Sequence, residues 1–270
     1  MKDKIKEQYS HFPSPLPRFI ISFVAMILFY ILWSYTIDYN GINQRGAAIA
    51  KSAIIGLLKP SLTVITDLSS AGLLYMLTET LAIAFLGTVL GLILSFPLAI
   101  LCSKNIAPRS VNYLVLTLIS ILRAFPSFIY GSMFVKVTGP GPFAGVLTMA
   151  ISSVGMLAKL LTETIEDINP GIVEALDAAG CSSFEKIRYG IIPQVSSNII
   201  SIIIYRLDIN VKNASTLGVV GAGGIGAPLI FAIARSSWGE TSAMLVGLVV
   251  LVLLLEYVST KLRGKLAAGE

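Results

Sequence analysis

The chain is 270 residues long, 55% apolar and only 13% charged, with a mean hydropathy of +0.81. A soluble globular domain carries roughly 25% charge, so this balance excludes one, together with a disordered chain, a disulfide scaffold and a free nucleic-acid binder. The net charge of +5 then belongs to the cytoplasmic flanks of membrane spans rather than to a nucleic-acid face.

A helix that crosses the hydrocarbon core needs about 20 apolar residues. In chain order the candidates are residues 19–37; 81–101; 111–135, interrupted by Arg123 and Pro126; 143–161, with Lys159 at its end; 191–207, with Arg206 near its end; and 241–258, with Glu256 near its end. No segment alternates with period 2, which excludes a barrel. The first run is too long for a cleaved signal, and Trp33, Ser34 and Tyr35 offer no small-x-small site. It reads as a retained helix. Residues 38–72 form a long, mildly amphipathic loop suited in part to the outer interface. Gly87 and Gly91 form Gly-x-x-x-Gly, which lets helix backbones approach closely. Cys102 and Cys181 have no metal spacing and read as unpaired.

A seventh apolar run, residues 217–233, holds five glycines and Pro228, too great a loss of helix propensity for a clean span. Orientation argues the same way. With six spans, Lys2, Lys4, Lys6 and Arg18 share the cytoplasm with Lys104, Arg109, Lys186, Arg188, Lys261, Arg263 and Lys265; a seventh span would put the last three outside. Arg45, Lys51 and Lys59 fall outside in either case.

Enzyme signals are weak. Gly221, Gly223 and Gly226 fit G-x-G-x-x-G, but that pattern binds dinucleotides only within a β-α-β unit. Here spans flank it and Pro228 follows. Close backbone packing, or a hinge or gate beside a pathway formed by Gly221, Gly223, Gly224 and Gly226, is the better reading. No Walker A sequence occurs. His11, before the first span, has no partner and reads as solvated. No metal site and no catalytic group is expected.

The charged stretch 162–190 is more informative. Asn169 is placed to cap a helix over residues 172–179, with Pro170 at its first position. Gly180 is placed to stop it. Ser182-Ser-Phe-Glu185 is a capping-box pattern that starts a second short helix, and Pro193 marks the start of the fifth span. Such a loop is either solvated or docks its short helix, with small Ala175, Ala178 and Ala179, into a groove on another protein.

At these residues the chain resembles the inner-membrane permeases of ATP-binding-cassette importers. Their loop reads E-A-A-x-x-x-G, nine residues, then I-x-L-P. Here Glu174-Ala-Leu-Asp-Ala-Ala-Gly180 leads in register to Gly190-Ile-Ile-Pro193. The departures are Leu176 for Ala, Gly190 for Ile and Ile192 for Leu. Arg188-Tyr-Gly-Ile-Ile-Pro-Gln194, Tyr205-Arg-Leu-Asp-Ile-Asn-Val211, Leu217-Gly-Val-Val-Gly-Ala-Gly-Gly-Ile-Gly226, Arg123-Ala-Phe-Pro126 and Gly139-Pro-Gly-Pro-Phe143 are similar to the phosphonate/phosphite permeases. The resemblance covers roughly residues 73–263.

It implies an all-α polytopic permease of the binding-protein-dependent (type I) importer fold. Residues 1–18 would be cytoplasmic, 19–72 a first span and outer loop, 73–263 the core and 264–270 a cytoplasmic tail. It also implies a homodimer, two cytoplasmic ATPase subunits that bind ATP and Mg, and an extracytoplasmic binding protein. Glu174, Ala175, Asp177, Ala178, Ala179 and Gly180 would couple to the ATPases. The permease would do no covalent chemistry itself. Its cargo would be a phosphonate or phosphite anion; another small solute such as an amino acid stays open, as does a stand-alone secondary transporter or channel.

Intramembrane arginines tend to face a cavity or a partner, and arginine grips phosph(on)ate oxygens in a bidentate manner. Arg123 and Arg206, with Asp208, Asn210, Ser215 and Thr216, are therefore candidate path residues. Alternatively, Arg206 and Asp208, which do not share a helix face, each pair with another helix.

Overall fold

The computed structural model describes residues 16–36 and 44–268. His11, Lys2, Lys4 and Lys6, and the last residue of the first expected span, lie outside them. Among the described residues every regular element is helical. The chain separates into two compact units, residues 1–50 and 51–270. The first contains α1 (Leu16–Ser34), on which no residue is buried within the chain. Helix α2 (Gln44–Leu57) runs through the boundary into the second unit.

The second unit continues with α3 (Leu62–Thr66), α4 (Leu73–Cys102), α5 (Arg109–Ala124), α6 (Ser127–Thr138) and α7 (Pro142–Glu166). After α8 (Pro170–Ala178) come α9 (Ile192–Leu217), α10 (Gly226–Ala234) and α11 (Trp238–Ala268). Helices α1, α4, α7 and α11, and the run Ser183–Val220 that contains α9, are long and apolar enough to cross a membrane. The third expected span, residues 111–135, is a bent pair: α5 and α6 meet at 84°. Pro126 lacks the N–H that would continue the helix, and it sits at the cap of α6. The Tyr130 hydroxyl, on α6, donates to the Leu122 carbonyl of α5 at 2.9 Å, satisfying an oxygen that the break would orphan.

Helices α4 and α7 form the centre of this unit. A Cβ on Gly87 would collide with Met149, and one on Gly91 would stand 2.6 Å from the Ser153 Cβ. The Gly-x-x-x-Gly pair therefore brings the two helices together by removing side chains. Ala84, Ala99, Ala144, Leu157, Ala158 and Leu161 are fully buried around this seam. Its hydroxyls bond within their own helices: Thr80 to the Met76 carbonyl at 2.7 Å, Thr88 to Ala84 at 2.6 Å and Thr148 to Ala144 at 2.7 Å. Such back-bonding lets a polar residue sit among apolar neighbours without an unpaired donor. Outward, Phe85, Ile93 and Leu94 on α4 and Val249, Leu253 and Leu254 on α11 are exposed, an apolar surface suited to lipid.

The observed helices outrun the apolar segments that foretell them. The second span starts at Leu73 and the fifth ends at Leu217. Nor is there a second separate loop helix before the fifth span. The turn Ser183–Glu185 passes through a π-helical turn, Lys186–Ile191, directly into α9. Pro193, in the first turn of α9, has no N–H to give an i−4 carbonyl, and the widened turn absorbs that loss.

Placing a side chain in the α4–α7 seam is costly. Gly91→Leu should lower stability by about 1–3 kcal/mol, the usual range for overpacking. A fall in the thermal midpoint of the purified protein, absent in a Leu94→Ala control on the exposed face, checks this.

Candidate functional site

Two regions gather the functional side chains. One is the loop after α7. Asn169 Oδ1 accepts from the Gly171 N–H at 3.0 Å, with Pro170 opening α8. Gly180 takes φ +77°. Its N–H reaches the Asp177 carbonyl at 3.0 Å, and the Cys181 N–H reaches Leu176 at 3.0 Å, the paired bonds of a Schellman stop. Ser182 and Glu185 then exchange the two bonds of a capping box. An ion pair from Lys186 to Asp177 ties the turn back onto α8.

Two of the departures from the family loop pattern meet here. A Cβ on Gly190 would collide with Leu176 Cδ1, so the larger residue at 176 occupies space that the missing side chain at 190 leaves. The Lys104 N–H donates to Glu166 at 2.8 Å, and Asn105 donates to the Ile165 and Glu166 carbonyls. These bonds fix the 103–108 turn to the end of α7. Glu174, Ala175, Asp177, Ala178, Ala179 and Gly180 are all exposed. So are two aromatics that sequence reasoning passed over, Phe184 and Tyr189, at 68% and 65%.

The second region is a cavity of about 540 Å³ lined by Arg123, Arg206, Ser152, Met156, Lys159 and Glu163, among others. It brings together the two candidate arginines. Arg206 is 5% exposed. Its Nε donates to Ser153 Oγ at 2.9 Å, Nη1 to Met156 Sδ at 3.0 Å and Nη2 to Ser152 Oγ at 3.2 Å. Among the described residues it has no carboxylate partner; Asp208 pairs instead with Lys212 at 2.9 Å. The side chain of Arg123 lies over Gly155, where a Cβ would collide with its Cγ. Lys159 pairs with Glu163 at 3.1 Å. The spacing of Ser152, Met156, Lys159 and Glu163 places them on one face of α7; that stripe was readable in the sequence and was missed.

The other candidates sit elsewhere. Asn210 is fully buried in the packed core, not on the cavity, its amide donating to Thr88 Oγ1 at 2.8 Å and Ser153 Oγ at 2.9 Å. Asp208 is buried beside Lys212, with Oδ1 unpartnered. Ser215 and Thr216 bond back to the Lys212 and Asn213 carbonyls of their own helix.

The glycine segment is a tight packed turn. Gly221, Gly223 and Gly224 take φ +79°, +79° and +69°. The Gly141 N–H donates to Gly221 at 2.9 Å, and the Ile225 N–H to Thr80 at 2.8 Å. A Cβ on Gly223 would stand 2.8 Å from Pro142 Cα, and one on Gly226 would collide with the Ser215 carbonyl. A side chain at these positions disrupts the turn itself, so lost transport in such a variant would not report on a gate.

Among the described residues no group of three or more His, Cys, Asp or Glu side chains converges. The family of binding-protein-dependent transport system inner membrane components matches residues 95–266. The chain belongs to that family. Its members are the membrane components of importers that work with ATPase and substrate-binding subunits.

This permease is 34% identical over 188 residues to the phosphite transport system permease of Stutzerimonas stutzeri, covering 69% of this chain and 68% of that one. It is 33% identical over 189 residues to a phosphate-import permease of Mycolicibacterium smegmatis, covering 70% of this chain and 36% of the longer relative. Among solved structures it matches a chain of the MetNI methionine transporter in an inward-facing conformation. That match has TM-score 0.64 at 21% identity over 72% of this chain and 95% of the other; it bears on fold alone. The type I importer permease fold expected from the loop motif is the fold observed.

The capping box has an electrostatic signature. Bonds from the Ser182 hydroxyl and then the Ser182 N–H hold the Glu185 carboxyl below its ordinary value. A depressed folded-state value means that the box contributes above the ordinary carboxylate range and is lost as pH falls through the folded value. ¹³C-glutamate NMR should find Glu185 titrating below the usual glutamate midpoint, and Ser182→Ala should move it up.

Proposed function

We propose that this permease is the membrane subunit of an ATP-driven importer of small phosphorus oxyanions of the phosphite/phosphonate class. The names of the curated relatives support the cargo class. The observation that carries the mechanism is the rigid loop element. α8 is capped at both ends and tied to the next turn by Lys186 and Asp177; α8 exposes Ile172, and the turns after it expose Phe184 and Tyr189. Exposed apolar groups on a charged loop suit a protein partner. An ATPase subunit docks there, and its closure on ATP shifts the loop and the helices fused to it.

Two copies of the permease form the path, with two ATPase subunits and an extracytoplasmic binding protein. ATP and Mg are held by the ATPases, and the permease itself performs no covalent step. Arg123 and Arg206 line the path. Asp208, Asn210, Ser215 and Thr216 shape its wall from behind, and the turn at Gly221, Gly223, Gly224 and Gly226 closes it on the far side of the arginines. Both termini are cytoplasmic.

Gly180→Val forces a β-branched residue into a left-handed backbone. It should abolish stimulation of ATP hydrolysis by the binding protein, while the permease still inserts. Unchanged stimulation in reconstituted vesicles would refute the coupling role. For orientation, single cysteines near residues 140 and 265 in a cysteine-free background should label from opposite sides of the membrane. Labelling of both by the same impermeant reagent from one side would refute the map.

A further inference from the structure

The 540 Å³ cavity holds an imbalance of charge. Three cations and one carboxylate line it: Arg123, Arg206, Lys159 and Glu163. Lys159 and Glu163 satisfy each other at 3.1 Å. The two arginines remain, and neither has a carboxylate partner among the described residues.

Helix geometry sets their level. The 103–108 turn is bonded to the end of α7, from which the loop leads back into α9. Helices α5 and α9 therefore both leave the same end of the bundle. Arg123 lies 14 residues past Arg109, and Arg206 lies 14 residues past Ile192. At 1.5 Å per residue each stands about 21 Å in. Lys159 and Glu163 are nearer the loop end of α7, so the cavity runs from the arginines toward the loop.

The Arg206 guanidinium is fixed rather than free. Three of its five N–H groups are directed to Ser153, Met156 and Ser152. Two remain without an acceptor among the described residues, although the side chain is 5% exposed. Holding an unpaired cation at that depth is costly. Two such cations in one cavity also repel, and an anion between them removes both costs. Planar guanidinium forks match tetrahedral oxyanions bidentately.

We infer that this cavity is a binding site in its own right for a doubly charged tetrahedral oxyanion, gripped between Arg123 and Arg206. The inference rests on the proposed permease function. It adds that the membrane subunit selects cargo by charge, rather than leaving selection wholly to the binding protein. A phosphite or phosphonate dianion neutralises the two arginines; hypophosphite, a monoanion of similar size, leaves one uncompensated.

The test uses the detergent-solubilised permease assembled with its ATPase subunits, without binding protein, titrated calorimetrically with phosphite and then with hypophosphite. Saturable phosphite binding is expected, with hypophosphite at least about ten-fold weaker. Arg206→Gln and Arg123→Gln should each weaken phosphite binding by about ten-fold or more, as loss of a charge-assisted hydrogen bond implies. Arg206→Gln could disturb packing, so Arg123→Gln, at an exposed side chain, is the decisive variant; assembled complex is quantified for both.

Equal affinity for the two anions, or undiminished binding in assembled Arg123→Gln, would overturn the inference. If the full complex takes up phosphite yet no saturable binding occurs without binding protein, the site is refuted and the transport reading stands. If phosphite binds at the arginines but the full complex does not move it, the site stands and the cargo reading falls.

Discussion

A single hydroxyl organises the interior. Ser153 Oγ accepts from Arg206 Nε and from Asn210 Nδ2, both at 2.9 Å, and its Cβ occupies the space left open at Gly91. Asn210 in turn reaches Thr88 on α4. One polar knot therefore joins α4, α7 and α9. Between apolar helices in a membrane there is little hydrophobic drive to associate, so close packing and interhelical hydrogen bonds must hold them. The glycine that allows α4 to approach also sets the serine where it can orient Arg206. Packing and site share one set of atoms.

This sharing explains which parts of the fold were legible in the sequence. The loop around α8 was readable because its signals are local. Asn169, Pro170, Gly180, Ser182 and Glu185 each act within three residues of their partners, and the structure uses them as the pattern states. Gly87 and Gly91 were readable as a close-approach face because removing a side chain has one geometric meaning on a helix.

Other features depend on partners remote in sequence. The break at Pro126 was visible, but not its 84° angle, which goes with a bond from Tyr130 to Leu122 and with packing on α7. That Asn210 is core and Arg206 borders a cavity follows from where Thr88, Ser152 and Ser153 lie on other helices. Helix ends extend past the apolar runs because polar residues there find partners, as Lys212 does in Asp208. The merging of the loop turn into α9 came through a π turn before Pro193, where the sequence suggested a fresh start of the span instead.

That π turn makes the loop and the wall of the cavity parts of one rod. From Ser183 to Val220 the helix is continuous over 38 residues, and Arg206 lies far along it. At 1.5 Å per residue the distance from Ser183 is about 35 Å. On a lever of that length, a tilt of about 5° carries the guanidinium some 3 Å sideways, comparable to the length of a hydrogen bond. A small rocking of the loop end therefore suffices to carry the Arg206 guanidinium sideways by about the length of a hydrogen bond, with no unfolding of the helix between loop and cavity.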